Sequence, residues 1–320
     1  MNSSFSVSVV VPVYNSEQTL APLVERIATS LADAASSFEI ILVNDGSRDG
    51  SWGRIRELAA RHGEVRGLSL MRNYGQHNAL LVGIRAARFE RIVTLDDDLQ
   101  NPPEEIPKLL AKLEEGYDVV YGTPESRRDN LWRRITSAAI RRILQSALGT
   151  DVARTASSFR AFRSMLRNAF ADYRSSFVSI DVLLTWGTSR FASVTVEHRE
   201  RAAGGSNYSF ARLALTALDV ITAFSTRPLR LASLIGFAFT LLGMLVLAWV
   251  VGRYLWLGYS FPGFPFLASV IAIFAGAQLF ALGIIGEYLA RVHLRIMGRP
   301  VGLIRETVGV GSDSVSENAR

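Results

Sequence analysis

No cysteine occurs in the 320-residue chain. Disulfides, thiolate nucleophiles and cysteine-based metal sites are therefore excluded. Histidine is scarce: four residues, His62, His77, His198 and His293, lie far apart with no zinc-ligand spacing. No Gly-x-Gly-x-x-Gly follows the first apolar run, which argues against a dinucleotide fold, and no Walker motif or Gly-x-Ser-x-Gly elbow is present. The N-terminus lacks a basic stretch followed by an apolar core. Val7 to Val13 is too short for a signal peptide and reads as a strand, so the polar part of the chain is expected to stay in the cytoplasm.

Apolar residues make up 49% of the chain but are spread unevenly. Up to about residue 225 the composition is that of a soluble protein; from there to about 290 it is nearly all apolar. Leu231 to Val251 gives 21 residues without a charge, and Phe264 to Ile285 gives 22 more, with Gln278 the one strongly polar side chain. At about 1.5 Å rise per residue each spans a hydrocarbon core of about 30 Å. Gly252 to Gly263 makes the short turn of a hairpin. Arg227 and Arg230 precede it, and Arg291, Arg295 and Arg299 follow, against Arg253 alone in the turn. That asymmetry predicts both chain ends on the cytoplasmic side. The net charge of +6 suits nucleic acid or an anionic membrane surface. The apolar hairpin selects the membrane, and no nucleic-acid partner is expected.

The first 120 residues alternate strands and helices. Strands are expected at Ser6–Val13, Glu39–Asn44, Val65–Met71, Arg91–Leu95 and Asp118–Tyr121, with helices near 17–35, 78–88 and 103–116. This predicts a doubly wound, mostly parallel α/β sheet, whose ligands bind beyond the carboxyl ends of the strands. Asn15, Asp45, Arg72-Asn73 and the Asp96–Asp98 run all fall at those ends. Further strands are expected at Ser157–Phe162 and Phe191–His198, flanking a helix near 177–187. Asp129–Leu148 reads as a basic amphipathic helix, Arg199–Asn207 as a loop, and Tyr208–Ser225 as an interfacial amphipathic helix. The residues after about Thr307 read as disordered.

The acid run has two readings. On an extended strand Asp96 and Asp98 share a face and Asp97 takes the other. Paired carboxylates at a strand end suit Mg²⁺ or Mn²⁺, with waters and phosphates completing the shell. The other reading is an acidic surface turn in which Asp97 or Asp98 caps the next helix. Asp45 likewise fits either a base or ribose contact or a helix cap.

Val9-Val10-Val11-Pro12-Val13-Tyr14-Asn15, Val43-Asn44-Asp45-Gly46-Ser47 and the acid run resemble glycosyltransferase family 2, with its GT-A fold. Arg72-Asn73-Tyr74-Gly75-Gln76-His77 and Asp98-Leu99-Gln100-Asn101-Pro102-Pro103 narrow the likeness to polyprenyl-phosphate glycosyltransferases, the group of dolichol-phosphate mannose synthase. Within it the undecaprenyl-phosphate 4-deoxy-4-formamido-L-arabinose transferases stand nearest. The likeness continues through His198-Arg199-Glu200-Arg201, Ser206-Asn207-Tyr208, Thr226-Arg227-Pro228 and Gly286-Glu287-Tyr288. It implies a GT-A domain over 1–207, an interfacial helix over 208–228, a membrane hairpin over 229–290 and a cytoplasmic tail over 291–320.

The resemblance implies inverting transfer of a sugar from a nucleotide-sugar, a UDP-sugar, to undecaprenyl phosphate at the cytoplasmic face of a bacterial inner membrane. Pro12, Tyr14, Asn15, Glu17, Asp45, Asn73, Asp96 and Asp97 would hold the donor, with Asp97 itself facing solvent. Asp96 and Asp98 would bind Mg²⁺ or Mn²⁺. Asp98 and Arg160 would carry catalysis, with Arg160 orienting the acceptor. Arg127, Arg133, Ser137, Arg201 and Ser206 would bind the lipid phosphate. A homo-oligomer, a tetramer, is implied as well. Three departures stand out. Asn207 replaces a common Lys, Pro124 replaces an Arg of some relatives, and Arg154–Ser158 lacks an Asp that relatives place before the Phe-Arg pair. A phosphate monoester loses its second proton near about pH 6, so an acceptor of that kind needs no strong base. A processive polysaccharide synthase would carry Gln-x-x-Arg-Trp and more spans, and neither is found. An inactive membrane scaffold would not need the polar strand ends.

Overall fold

The computed structural model describes residues 5–124, 157–175, 178–198, 227–257, 263–298 and 300–309. The chain divides into two compact units. One comprises Met1–Ser209 and Gly298–Arg320, the other Phe210–Met297.

The first unit is built on a sheet of eight strands: β1 Ser6–Val13, β2 Ser37–Asn44, β3 Val65–Leu70, β4 Arg91–Thr94, β5 Val119–Pro124, β6 Arg160–Arg163, β7 Phe191–Val196 and β8 Ile304–Val308. Their spatial order is β7-β5-β6-β4-β1-β2-β3-β8. Parallel pairing joins β1 to β2 and β4, β2 to β3, and β5 to β7. β6 runs antiparallel between β4 and β5, and β8 antiparallel to β3. The mostly parallel GT-A-like architecture is therefore as expected.

Helices cover both faces, which is why β1 is buried along nearly its whole length. α1 (Leu20–Ala32) presents Leu20, Leu23, Val24, Ile27 and Leu31 to the sheet, the spacing of one apolar stripe. With α2 (Ser51–Arg61) and α4 (Ile106–Glu114) it closes over Val7, Val9, Val11 and Val13. α3 (Gln76–Ala86) lies on the opposite face, where Gly83 permits close approach. A Cβ there would sit 2.4 Å from Val10 Cγ1. A 3-10 turn, Ser164–Phe170, leads toward α5 (Ile180–Gly187).

At the other end of β1 and β2 lies a buried charge. Glu39, 0% exposed, accepts from Ser8 Oγ (2.7 Å), Arg66 Nη1 (2.8 Å), Arg88 N (2.7 Å) and Arg88 Nε (3.0 Å). Buried charges persist only when paired and hydrogen-bonded in this way.

The second unit is a helical hairpin of α6 (Arg227–Leu257) and α7 (Phe264–Ile296). The stretches Leu229–Arg253 and Ile273–Ile296 are long and apolar enough to cross a membrane. The Phe274 ring meets Phe239 edge-on at 5.8 Å and fills the space beside Gly243.

Several expectations need correction. β4 ends at Thr94, so strand alternation does not extend into the acid run. α1 starts at Leu20 rather than near residue 17, because Asn15 turns the chain with φ of 54°. The edge strand β8, Ile304–Val308, was not among the strands expected from sequence, and the residues after 309, where disorder was expected, lie outside the described residues. The helices expected at 129–148 and 208–225, and the loop at 199–207, lie outside the described residues.

Candidate functional site

The carboxyl ends of β1, β2, β3 and β4 lie side by side, and the loops leaving them are bonded to one another. After β1, Asn15 N donates to Ser47 Oγ (3.0 Å), while Asn15 Oδ1 accepts from Arg48 N (2.8 Å). Glu17 N donates to Asp49 Oδ2 (3.2 Å), and the Glu17 carboxylate accepts from Gly50 N (3.1 Å) at the start of α2. Glu17, expected to hold nucleotide, is exposed and bonds the amide at the start of a neighbouring helix, where its charge suits the positive end of the helix dipole.

Asp45 ends β2 and is 3% exposed. Its oxygens accept from Tyr74 N (2.7 Å) and Gly75 N (2.8 Å). It therefore neither caps α2 nor points freely outward; it fixes the loop after β3. Burial pushes its carboxyl up, and the two amide bonds oppose that. Gly46 lies against the same loop with φ of 66°, and a Cβ there would lie 2.6 Å from Arg72 C and Asn73 N. Only glycine meets both demands. Exposed Arg72 stacks over Tyr74 at 4.7 Å, beside exposed Asn73. Pro12 is buried inside β1, and the Tyr14 side chain is exposed.

The acid run sits next to these loops. Asp97 Oδ2 accepts from Tyr14 N (3.1 Å), so it faces the end of β1 rather than solvent, as the sequence had suggested. Asp96 accepts from Gln76 Nε2 (2.5 Å) and Ser158 Oγ (2.6 Å). Asp98 accepts from Gln100 N (3.2 Å), and Leu99 takes the left-handed region at φ of 60°, a strained turn for a branched residue. Burial raises the Asp96 carboxyl, Ser158 and Arg160 oppose this, and the charges of Asp98 and Asp97 raise it further. Burial raises Asp97 as well, with Asp98 adding to it against the bonds from Ser16 and Tyr14. The charge of Asp98 thus bears on both Asp96 and Asp97.

Arg160 lies behind this run. It is 1% exposed and its Nη1 donates to Asp181 Oδ1 (2.5 Å), which also accepts from Tyr121 OH (3.0 Å). The expectation that Arg160 orients the acceptor is corrected: its guanidinium is turned inward. His77 is next to this cluster, its Nδ1 accepting from Ile180 N (3.5 Å). Burial and the Arg160 charge push the imidazole below its ordinary pKa, with Asp181 opposing.

The residues fit a hard divalent cation. The acid run offers only oxygen donors, and among the described residues no three His, Asp or Glu side chains form a closed cage. A cation there would draw most of its shell from water and substrate phosphate, as Mg²⁺ and Mn²⁺ do. Arg127, Arg133, Ser137, Arg201 and Ser206 lie outside the described residues. Gln76, Ser158 and Asp181 were not singled out from sequence. Gln76 and Ser158 stand within or beside quoted motifs, whereas nothing local marks Asp181.

The Glycosyl transferase family 2 model matches residues 8–173. An undecaprenyl-phosphate 4-deoxy-4-formamido-L-arabinose transferase of Pseudomonas savastanoi pv. phaseolicola is 38% identical over 315 residues, covering 98% of this chain and 94% of the relative. One from Enterobacter sp. is 37% identical over 314 residues, covering 97% and 96%. Among solved structures, glucosyl-3-phosphoglycerate synthase of Mycobacterium tuberculosis, in complex with Mn²⁺, UDP-glucose and phosphoglyceric acid, matches with a TM-score of 0.51 and 20% identity. That match covers 68% of this chain and 78% of that one, and at this identity it speaks for the fold alone. Motifs, sheet order and near full-length identity agree: the chain belongs to glycosyltransferase family 2 and is a glycosyltransferase.

Proposed function

We propose that the protein transfers a sugar from a UDP-sugar to undecaprenyl phosphate, with inversion, at the cytoplasmic face of a bacterial inner membrane. The observation that carries this reading is the edge itself: four strand-end loops interlocked around three crowded carboxylates, in a chain that also bears two membrane-length helices. The near full-length relatives are named for transfer to undecaprenyl phosphate, which supports the choice of acceptor.

The residues divide the work. Tyr14, Asn15 and Asn73 line the edge where base and ribose would lie. Asp45 and Glu17 act one step back, holding the loops in place. Asp96 and Asp98 would hold Mg²⁺ or Mn²⁺, which supplies charge stabilisation to a departing diphosphate. Arg127, Arg133, Ser137, Arg201 and Ser206 are proposed to grip the acceptor phosphate through charge-assisted hydrogen bonds. That phosphate is largely a dianion at neutral pH, so orientation rather than proton removal is the main task. Asp97 is spent on the Tyr14 amide and is not a base in this scheme. In this scheme the two spans would confine enzyme and acceptor phosphate to one membrane surface, with the catalytic domain and both termini in the cytoplasm. Relatives' resemblance suggests a tetramer.

The test is a screen of UDP-sugars with full-length protein in detergent and undecaprenyl phosphate, reading the sugar-phospholipid by mass. One donor, including the formamido-arabinose one, is expected to give product. No product with any donor would overturn the reading.

A further inference from the structure

β4 and β6 pair antiparallel, with Thr94 opposite Arg160. Just beyond the two strand ends the chains stay bonded: Thr94 Oγ1 donates to Ser158 O (2.8 Å) and Ser158 Oγ donates to Asp96 Oδ2 (2.6 Å). Arg160 therefore stands two residues from the residue that holds Asp96 and directly opposite the residue two before it. The buried guanidinium nevertheless turns to Asp181, which Tyr121 OH also holds. Among the described residues its Nε has no acceptor. The charge of Arg160 is one of those acting on Asp96. The groups around it are thus Asp181, Tyr121, His77 and Asp96.

We propose that Asp181 is a positioning residue for the donor site: by holding Arg160 it keeps that guanidinium from pairing with Asp96 and leaves the Asp96 carboxylate open to a divalent cation. This rests on the metal reading above. A buried arginine cannot stay unpaired. If Asp181 loses its charge, Arg160 turns to Asp96, the acid-run carboxylate on which its charge already acts, and the acid run loses a cation ligand.

The experiment follows Mn²⁺ binding in the presence of UDP by electron paramagnetic resonance on full-length protein in detergent. The wild type is compared with Asp98→Ala, Asp181→Asn, Asp181→Glu and the double variant Asp181→Asn/Arg160→Gln. Outer partners of metal ligands are worth about 10–100-fold in affinity, and Asp181→Asn is expected to weaken Mn²⁺ binding by that much. Asp181→Glu should restore binding. The double variant should restore it too, because the competing guanidinium is gone; a purely structural role for Asp181 predicts that it binds no better than the single variant. Wild-type affinity in Asp181→Asn, or a double variant as weak as the single, overturns the inference and leaves the metal reading standing. If Asp181→Asn does not fold, the double variant decides alone: near wild-type binding supports the inference and loss overturns it. If wild type and Asp98→Ala bind Mn²⁺·UDP equally, the metal reading fails and the inference with it.

Discussion

The two units solve opposite problems with the same chain. In the sheet unit the apolar side chains are inside, and the polar atoms at both ends of the strands are spent on one another. In the hairpin the large apolar side chains face outward: Leu245 is 61% exposed, and Phe237, Leu241, Leu279 and Leu282 are exposed as well. A surface of that kind is stable only where its solvent is apolar too. The sheet unit therefore owes its order to specific contacts, and the hairpin owes its order to the medium. Substitutions that disturb contacts should damage the first, and substitutions that introduce charge should damage the second.

The largest effect is expected at the buried carboxylate of the sheet unit. Glu39→Gln leaves Arg66 buried without its counter-charge, and breaking such a pair costs about 3–5 kcal/mol. Chemical denaturation read by circular dichroism should show it. The same group makes stability pH-dependent. Burial pulls the Glu39 carboxyl up, but the bonds from Ser8, Arg66 and Arg88 outweigh that and hold it below its ordinary range. Its stabilisation is fully present above the unfolded value of about 4.3 and is lost as pH falls through the lower folded value. Glu39→Gln should flatten that acid limb.

Next in size is the hairpin. Leu245→Arg places a charge near the middle of α6 and should cost about 2.5–3.5 kcal/mol of insertion, seen as protein lost from the membrane fraction. The sheet unit should keep its fold. A smaller effect is expected at the edge: Asp45→Ala strands the amides of Tyr74 and Gly75, at a cost of about 1–3 kcal/mol. UDP affinity measured by calorimetry should fall while the hairpin is untouched. The smallest is Arg26→Ala, which removes a surface pair with Glu104 worth about 0–1 kcal/mol, visible only as a slight shift in Tm.

Much of this was legible in the sequence. Strands buried on both faces read as continuous apolar runs, so β1 to β5 stood out, and uncharged stretches of membrane length announced the hairpin. β8 did not: five residues containing Arg305 and Glu306 carry no alternation, and pairing with β3 across more than two hundred residues is invisible locally. The acid run was found by composition, but its geometry was not. Alternation put Asp97 on the face away from Asp96 and Asp98, and the resemblance left it to solvent, whereas the strand stops at Thr94 and Asp97 accepts from the Tyr14 amide. Arg160 shows the same limit. Its residue type suggested phosphate, and only the cross-strand register and Asp181 reveal where its charge goes. Glu17 and Asp45 carry the right chemistry for a ligand, yet the fold uses both to tie loops together.

Sugar transfer at the acid run should depend on the acceptor. The most direct measurement is UDP release by full-length protein given the donor found by the screen and Mn²⁺, with and without undecaprenyl phosphate, in wild type and Asp98→Ala. Release is expected only when undecaprenyl phosphate is present, with a loss of at least about 100-fold in Asp98→Ala and the fold intact. Release that ignores the lipid, or that survives in Asp98→Ala, would contradict the proposed transfer.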